Sequence, residues 1–377
     1  MDVSLLYKLK QFLIKTVVTL AVLLTAIFSA QVNALVVLQQ ASVALGTDYD
    51  TNPTMASQNK KSIWRYSATP SYSISAVENQ NRWYATGGLR IERSSNSAIS
   101  SNRQDPNISA GWERDFERGK FSLVANYNKT SSRVREFAET GSAAQDGSST
   151  GKSIRANWSY ALTDRLDWTV GAGYQKTKYS GAGLSNYNTK SIDTGLTYLL
   201  NEKVSPFIRL SLSDYESSGV ISSRSKSQNY LVGVNLVLDP RWSMSLGAGV
   251  NHDSSAGSGW VGDSSLSYTG ERYNIRGVAS RSVTASGIGS LQTSDQLSLA
   301  YGYELSDRSG LGTEFSWRKN RTLNGSETKQ LSGFYNRELS ELWQMRLTAT
   351  TRAQKDGNRS ASGNVFGISL IYNSPEF

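Results

Sequence analysis

From Ser42 onward the chain alternates apolar and polar residues with a period of two, the mark of strands with two unlike faces. Ser62–Ala76 shows it most clearly. Trp64, Tyr66, Ala68, Pro70, Tyr72, Ile74 and Ala76 share one face, and Arg65, Ser67, Thr69, Ser71, Ser73 and Ser75 the other. Short polar breaks fall at Glu78–Gln80, Glu117–Gly119, Thr163–Arg165, Asn201–Lys203, Asp239–Arg241, Thr269–Glu271, Ser306–Arg308 and Ser340–Glu341. Between them lie breaks that are mostly longer and rich in Ser, Gly and Asn: Thr51–Asn59, Arg93–Asn102, Thr130–Gly151, Ser180–Asn186, Asp214–Ser225, Asp253–Ser258, Thr284–Ser290, Asn320–Ser326 and Ala353–Ser360. Eight short and nine long connections make eighteen strands, with both chain ends on the short-turn side. That spacing leaves room for strands of about ten residues.

A soluble β-sandwich also alternates, so the contents of the two faces must decide. All nine Trp lie on the apolar face, near strand ends. Trp83, Trp112, Trp158, Trp168, Trp242 and Trp343 sit near short turns, and Trp64, Trp260 and Trp317 near long loops. Two aromatic girdles around an apolar band suit the two interfaces of a bilayer. The opposite face carries Arg209, Arg276, Asp193, Asp263 and Glu314 near mid-strand. Unpaired in a dry core, each would cost several kcal/mol; in a water-filled lumen they cost little. The expected fold is therefore all-β: a single transmembrane antiparallel up-and-down β-barrel of about 18 strands, with short periplasmic turns and longer external loops, in a bacterial outer membrane.

The N-terminus supports export. Met1–Ala34 reads as a signal peptide, with Lys8, Lys10 and Lys15 ahead of the apolar run Thr16–Phe28 and a small-residue site at Val32-Asn33-Ala34. The barrel is then expected to occupy residues 35–377. The mean hydropathy of −0.42 argues against a bundle of membrane helices. No cysteine and a single histidine exclude thiolate and multi-histidine metal sites, and no cofactor or metal is implied. The net charge of +9 is scattered over turns and loops rather than gathered in a stripe, so nucleic acid is not an expected partner. Outer-membrane lipid and lipopolysaccharide phosphates are.

A barrel of this size leaves an aqueous channel unless something plugs it. Arg65, Arg90, Arg155, Arg209, Arg276, Arg318 and Arg346 fall on the inward register, with Asp193, Asp263 and Glu314 among the acidic residues facing them. Arg65, Arg90, Arg155 and Arg318 lie toward the external mouth, opposed mainly by Glu92. Rings of Arg favour anions, whereas pairing across neighbouring strands would only shape the lumen. The longest external loop, Thr130–Gly151, carries Arg133, Arg135 and Glu136; it either folds inward as a constriction or stays outside. His252-Asp253 at a rim is too little for catalysis, and no enzyme is expected.

Tyr49-Asp50-Thr51-Asn52-Pro53, after Ser42-Val43-Ala44-Leu45-Gly46, resembles the opening of the β-barrel porin 2 group of bacterial outer-membrane proteins. Asn102-Arg103-Gln104-Asp105-Pro106, with Gly111-Trp112 and Arg114-Asp115-Phe116, has the same look. The resemblance implies a link to exopolysaccharide export and hence a polysaccharide secretion system as partner. Phe366, Ile368, Leu370 and Tyr372 alternate toward lipid, and the chain ends in Phe377, the expected signal for the barrel-assembly machinery, although Pro375 breaks the phase. The expected function is a porin passing anionic solutes or a secreted polysaccharide; the alternative is a structural or adhesion barrel with a loop-plugged pore.

Overall fold

Eighteen antiparallel strands form, and each pairs with its sequence neighbours. They are β1 (Val36–Asp50), β2 (Ile63–Glu78), β3 (Asn81–Ser94), β4 (Arg103–Phe116), β5 (Gly119–Ser131), β6 (Ser148–Thr163), β7 (Leu166–Ser180), β8 (Asn186–Tyr198) and β9 (Val204–Ser218). The second half comprises β10 (Ser223–Asp239), β11 (Trp242–Asp253), β12 (Gly257–Thr269), β13 (Tyr273–Ala285), β14 (Leu291–Ser306), β15 (Ser309–Asn320), β16 (Glu327–Glu338), β17 (Trp343–Asp356) and β18 (Arg359–Asn373). A single helix, α1 (Ser132–Glu139), interrupts them among the described residues. The computed structural model describes residues 35–141, 146–180, 183–255, 257–321 and 325–376; Met1–Ala34, the expected signal peptide, and Phe377, the expected assembly signal, lie outside these. β1 pairs with both β2 and β18, so the sheet closes into an up-and-down barrel.

The register sorts side chains as the alternation predicts. Tyr49 stands beside Trp64 on one side and Phe366 on the other, and Leu45 beside Ala68 and Leu370. All nine Trp share this outer face. At the short-turn end they join a ladder of rings: Trp112–Phe121 at 5.4 Å, a stacked Phe116–Trp158 at 5.7 Å, Trp242–Tyr268 at 4.6 Å and Trp343–Tyr372 at 5.2 Å. Each such pair adds about 1 kcal/mol beyond area burial. Val232, Ile192 and Trp260 are about 60% exposed on that face. Water would penalise such a belt, whereas hydrocarbon does not. A closed barrel with this exterior and a polar interior belongs to the bacterial outer membrane, short turns toward the periplasm.

Several of the short turns share one device. Arg165 N donates to Thr163 Oγ1 at 3.2 Å, Lys203 N to Asn201 Oδ1 at 2.9 Å, and Arg241 N to Asp239 Oδ1 at 2.7 Å. A side chain that mimics a backbone turn stops the strand where the alternation breaks.

The external ends correct the sequence reading. Strands run 12 to 17 residues, not ten. Much of Asp214–Ser225 is paired strand, with only 219–222 between β9 and β10. Likewise 254–256 and 357–358 are all that separate their strands. These extensions rise above the apolar band, where both faces meet water and nothing selects for alternation. Ser- and Gly-rich strand there reads as loop.

Candidate functional site at the external mouth

The described helix of the longest loop, α1, folds into the barrel. α1 starts at the end of β5 and crosses the mouth. Arg135 and Glu139, one turn apart, pair at 3.2 Å, and Thr140 N and Oγ1 close the helix on Glu136 O at 2.7 and 2.9 Å. Gly141 follows at φ +75°, where its missing Cβ clears the Thr328 side chain. One flank of α1 meets β7, β8 and the β13–β14 tip. Glu136 accepts hydrogen bonds from Tyr179 Oη and from Gly287 N at 3.3 Å, and Glu139 accepts one from Tyr187 Oη at 3.2 Å. Its far end meets the opposite wall: Arg318 of β15 donates to Ala138 O, and Ser326 Oγ to Thr140 O at 3.2 Å. Strands β5 and β15 lie about half-way round the ring from each other, so α1 bridges the lumen.

Burial pushes the carboxyls of Glu136 and Glu139 above the usual range, against the opposing pull of Arg135 and of their hydrogen-bond donors. Glu136 Oε2 has no hydrogen-bond partner among the described residues.

A second element also turns inward. β12 and β13 pair only from Gly262↔Arg281 to Thr269↔Asn274, whereas β13 and β14 stay paired as far as Ala285↔Leu291. Above Arg281 the β13–β14 hairpin leaves the wall. Its tip meets β9, β10 and the β7–β8 loop: Tyr215 Oη donates to Ser286 O at 2.9 Å, Ser185 N to Gly287 O at 2.8 Å, and Ser217 Oγ and Ser223 Oγ to Gly289 O at 3.3 and 2.5 Å. Leu291 packs on Tyr187 and Tyr215, with Tyr179 beside them.

On the other flank of α1, Arg133, Val134 and Phe137 face a cavity of about 370 Å³ against β2–β4, β16 and β17, lined also by Arg65, Arg90, Arg103, Arg352, Glu92 and Asp105. The guanidiniums are held by acids. Arg65 pairs with Asp48 at 2.6 Å and Asp50 at 3.2 Å, Arg352 with Asp50 at 2.8 Å, Arg90 with Glu92 at 2.8 Å, and Arg103 with Asp105 at 2.8 Å. The expectation that Glu92 is the main acid opposing the outer arginines is corrected: Glu92 holds Arg90, while Asp48 and Asp50 hold Arg65. Deeper in the lumen Arg155 pairs with Asp193 at 2.6 Å, and Arg209 stands 4.0 Å from Asp263 and 4.2 Å over Phe207. Arg346 covers Phe334 at 4.4 Å, while Arg276 and Glu314 occupy the same inner register.

Arg65 and Arg90 thus meet at the α1 cavity, Arg318 anchors the helix end, and the remaining predicted residues are spread along the lumen. Sequence reasoning missed Arg103 and Arg352 as cavity residues, and Tyr179, Tyr187 and Tyr215 as docking partners. The three tyrosines carried a signal, being aromatics on the polar face. His252 and Asp253, as consecutive strand residues, point to opposite faces. His252 Nδ1 meets Ser258 Oγ at 2.8 Å, while Asp253 is buried and accepts from Ser225 and Ser255.

No model of a protein family matches the chain, and no curated protein does. Solved structures match in fold. OccAB4 of Acinetobacter baumannii superposes with a TM-score of 0.51 at 9% identity, covering 90% of this chain and 98% of that one. The ferric enterobactin receptor PfeA of Pseudomonas aeruginosa gives 0.50 at 9% identity, covering 89% and 80%. At such identities the likeness is one of architecture, that of an outer-membrane β-barrel.

Proposed function

We propose that the protein is an outer-membrane channel for small anionic solutes, which pass beside α1 along the paired arginines of the β2–β4 and β16–β17 wall. The observation that carries this is the position of α1. It is docked against β7, β8, β15 and the β13–β14 tip, while its Arg133 flank faces a guanidinium-rich cavity. Each Arg–carboxylate pair can exchange its acid for a passing anion, so the wall offers a relay of sites that bind without trapping. The opposite orientation of His252 and Asp253 supports a function without catalysis.

Export of an acidic polysaccharide, as the family resemblance implies, is a second reading favoured by the inner arginines that continue below the mouth, Arg155, Arg209, Arg276 and Arg346. It needs α1 to swing aside, and a polysaccharide secretion system as partner. Insertion by the barrel-assembly machinery fits either reading.

Single-channel recording in a planar bilayer across a KCl gradient tests the proposal. The expected result is a small open conductance whose reversal potential favours Cl⁻, with Arg103→Ala and Arg133→Ala together shifting it toward K⁺. Silence at every voltage, in the intact protein and in a form lacking α1, would overturn it and leave a plugged structural barrel. Blockade by acidic oligosaccharides, only after α1 is removed, would favour the polymer conduit.

A further inference from the structure

Where the β13–β14 hairpin leaves the wall, the outer surface of the barrel has a recess. Its floor is Ala248, Gly262, Ser264 and Ala279, and its volume is about 740 Å³. Leu246 and Val232 border it on one side, Leu297 and Trp317 on the other. Its upper rim is charged. Arg281 and Asp295 stand opposite each other in the register, on the outer face that elsewhere carries Leu297, Leu299 and Tyr301. Arg281 Nε binds Asp295 Oδ1 at 2.5 Å, and Arg321 binds Asp295 Oδ2 at 2.5 Å. Two guanidiniums around one carboxylate leave one positive charge. Arg321 is half exposed, and Arg281 lies 3.8 Å over the Trp260 ring.

Trp260 and Trp317 mark the external interface of the bilayer, so this charge faces lipid headgroups while the floor beneath it faces acyl chains. A second apolar recess, of about 720 Å³ between Trp168 and Val250, has no such acid–base rim on its outer face and gives a built-in comparison.

We propose that the Arg281–Arg321 recess binds one phosphorylated lipid of the outer leaflet. A headgroup phosphate takes the free donors of Arg321 and Arg281, and one acyl chain fills the trough over Gly262 and Ala279. The charge selects this occupant. An acyl chain alone would need no arginine at the rim, and a second copy of the barrel would have to bring an anion and a ridge one side chain wide to the same height. A phosphate in this low-dielectric zone gains more from two guanidiniums than it would in water. The site is independent of what the lumen conducts.

Native mass spectrometry of the refolded barrel in detergent, titrated with diphosphoryl lipid A and with its phosphate-free form, tests this. One phosphorylated lipid should stay bound at collision energies that strip the phosphate-free form. Arg321→Gln should weaken retention about ten-fold, the loss of one charge-assisted contact. Ala279→Trp, which fills the trough and leaves the arginines in place, should abolish it. Folding of each variant is checked by its heat-modifiable gel mobility. Equal retention of the two lipids, equal retention by R321Q and the parent protein, or a lipid-free dimer that A279W dissociates would each overturn the proposal.

Discussion

At the short-turn end of the barrel a belt of aromatic side chains points outward. Trp112, Trp158, Trp242 and Trp343 link with Phe and Tyr into a belt, and the chain turns back at once on Thr163, Asn201 or Asp239. At the long-loop end three tyrosines point inward instead, and Tyr179, Tyr187 and Tyr215 hold α1 and the β13–β14 tip over the lumen. The same amphipathic residue types serve a bilayer interface at one end and an inward-docked helix and hairpin tip at the other. What differs is the register, and with it the medium each ring meets. The periplasmic end is built to stay fixed in the membrane. The external end rests on a few buried polar contacts that could be exchanged.

That contrast can be broken experimentally. Replacing residues 132–139 with a short Gly-Ser linker should raise single-channel conductance several-fold, whereas a Gly-Ser replacement of the 163–165 turn should leave it unchanged. Next in size, Arg352→Ala removes one of the two arginine partners of the fully buried Asp50 and should destabilise the barrel by about 2 kcal/mol in urea titrations of micellar protein, with selectivity moving toward cations. Tyr215→Phe deletes a buried hydrogen bond to Ser286 O and should cost about 1 kcal/mol by the same titration. Smallest is the pH effect. Burial first, offset in part by Arg135 and hydrogen-bond donors, raises Glu136 and Glu139, so the docked helix prefers their protonated forms. Docking is therefore at full strength below the ordinary carboxylate range and weakens as pH rises through the raised values. Mean conductance should increase from acid to neutral pH, and Glu136→Gln should flatten the profile.

The sequence made the membrane part of this molecule legible and the mouth much less so. Within the bilayer each residue answers to one of two media, so a period of two counts the strands, places all nine Trp outside and aims Arg65, Arg155 and Arg346 inward. Above the bilayer that constraint lapses, which is why Asp214–Ser225 reads as loop although most of it is strand. The path of α1 was equally hidden, because Glu136 finds Tyr179 and Gly287 far along the chain, 43 and 151 positions away. The lipid-side recess did leave a trace. Arg281 and Asp295 are charges in an otherwise apolar row, and they mark the place where the hairpin leaves the wall.

The pairing of β1 with β18 also has a kinetic meaning. Asp50 is neutralised by Arg65 from the neighbouring strand and by Arg352, 302 positions later, while Asn52 Nδ2 holds Ser362 O at 2.9 Å. An unfinished sheet therefore carries two open edges and a half-compensated carboxylate at its rim. The arrival of β17 and β18 removes all three together, so closure is cooperative, and a barrel lacking its last hairpin has no low-energy resting state on the way.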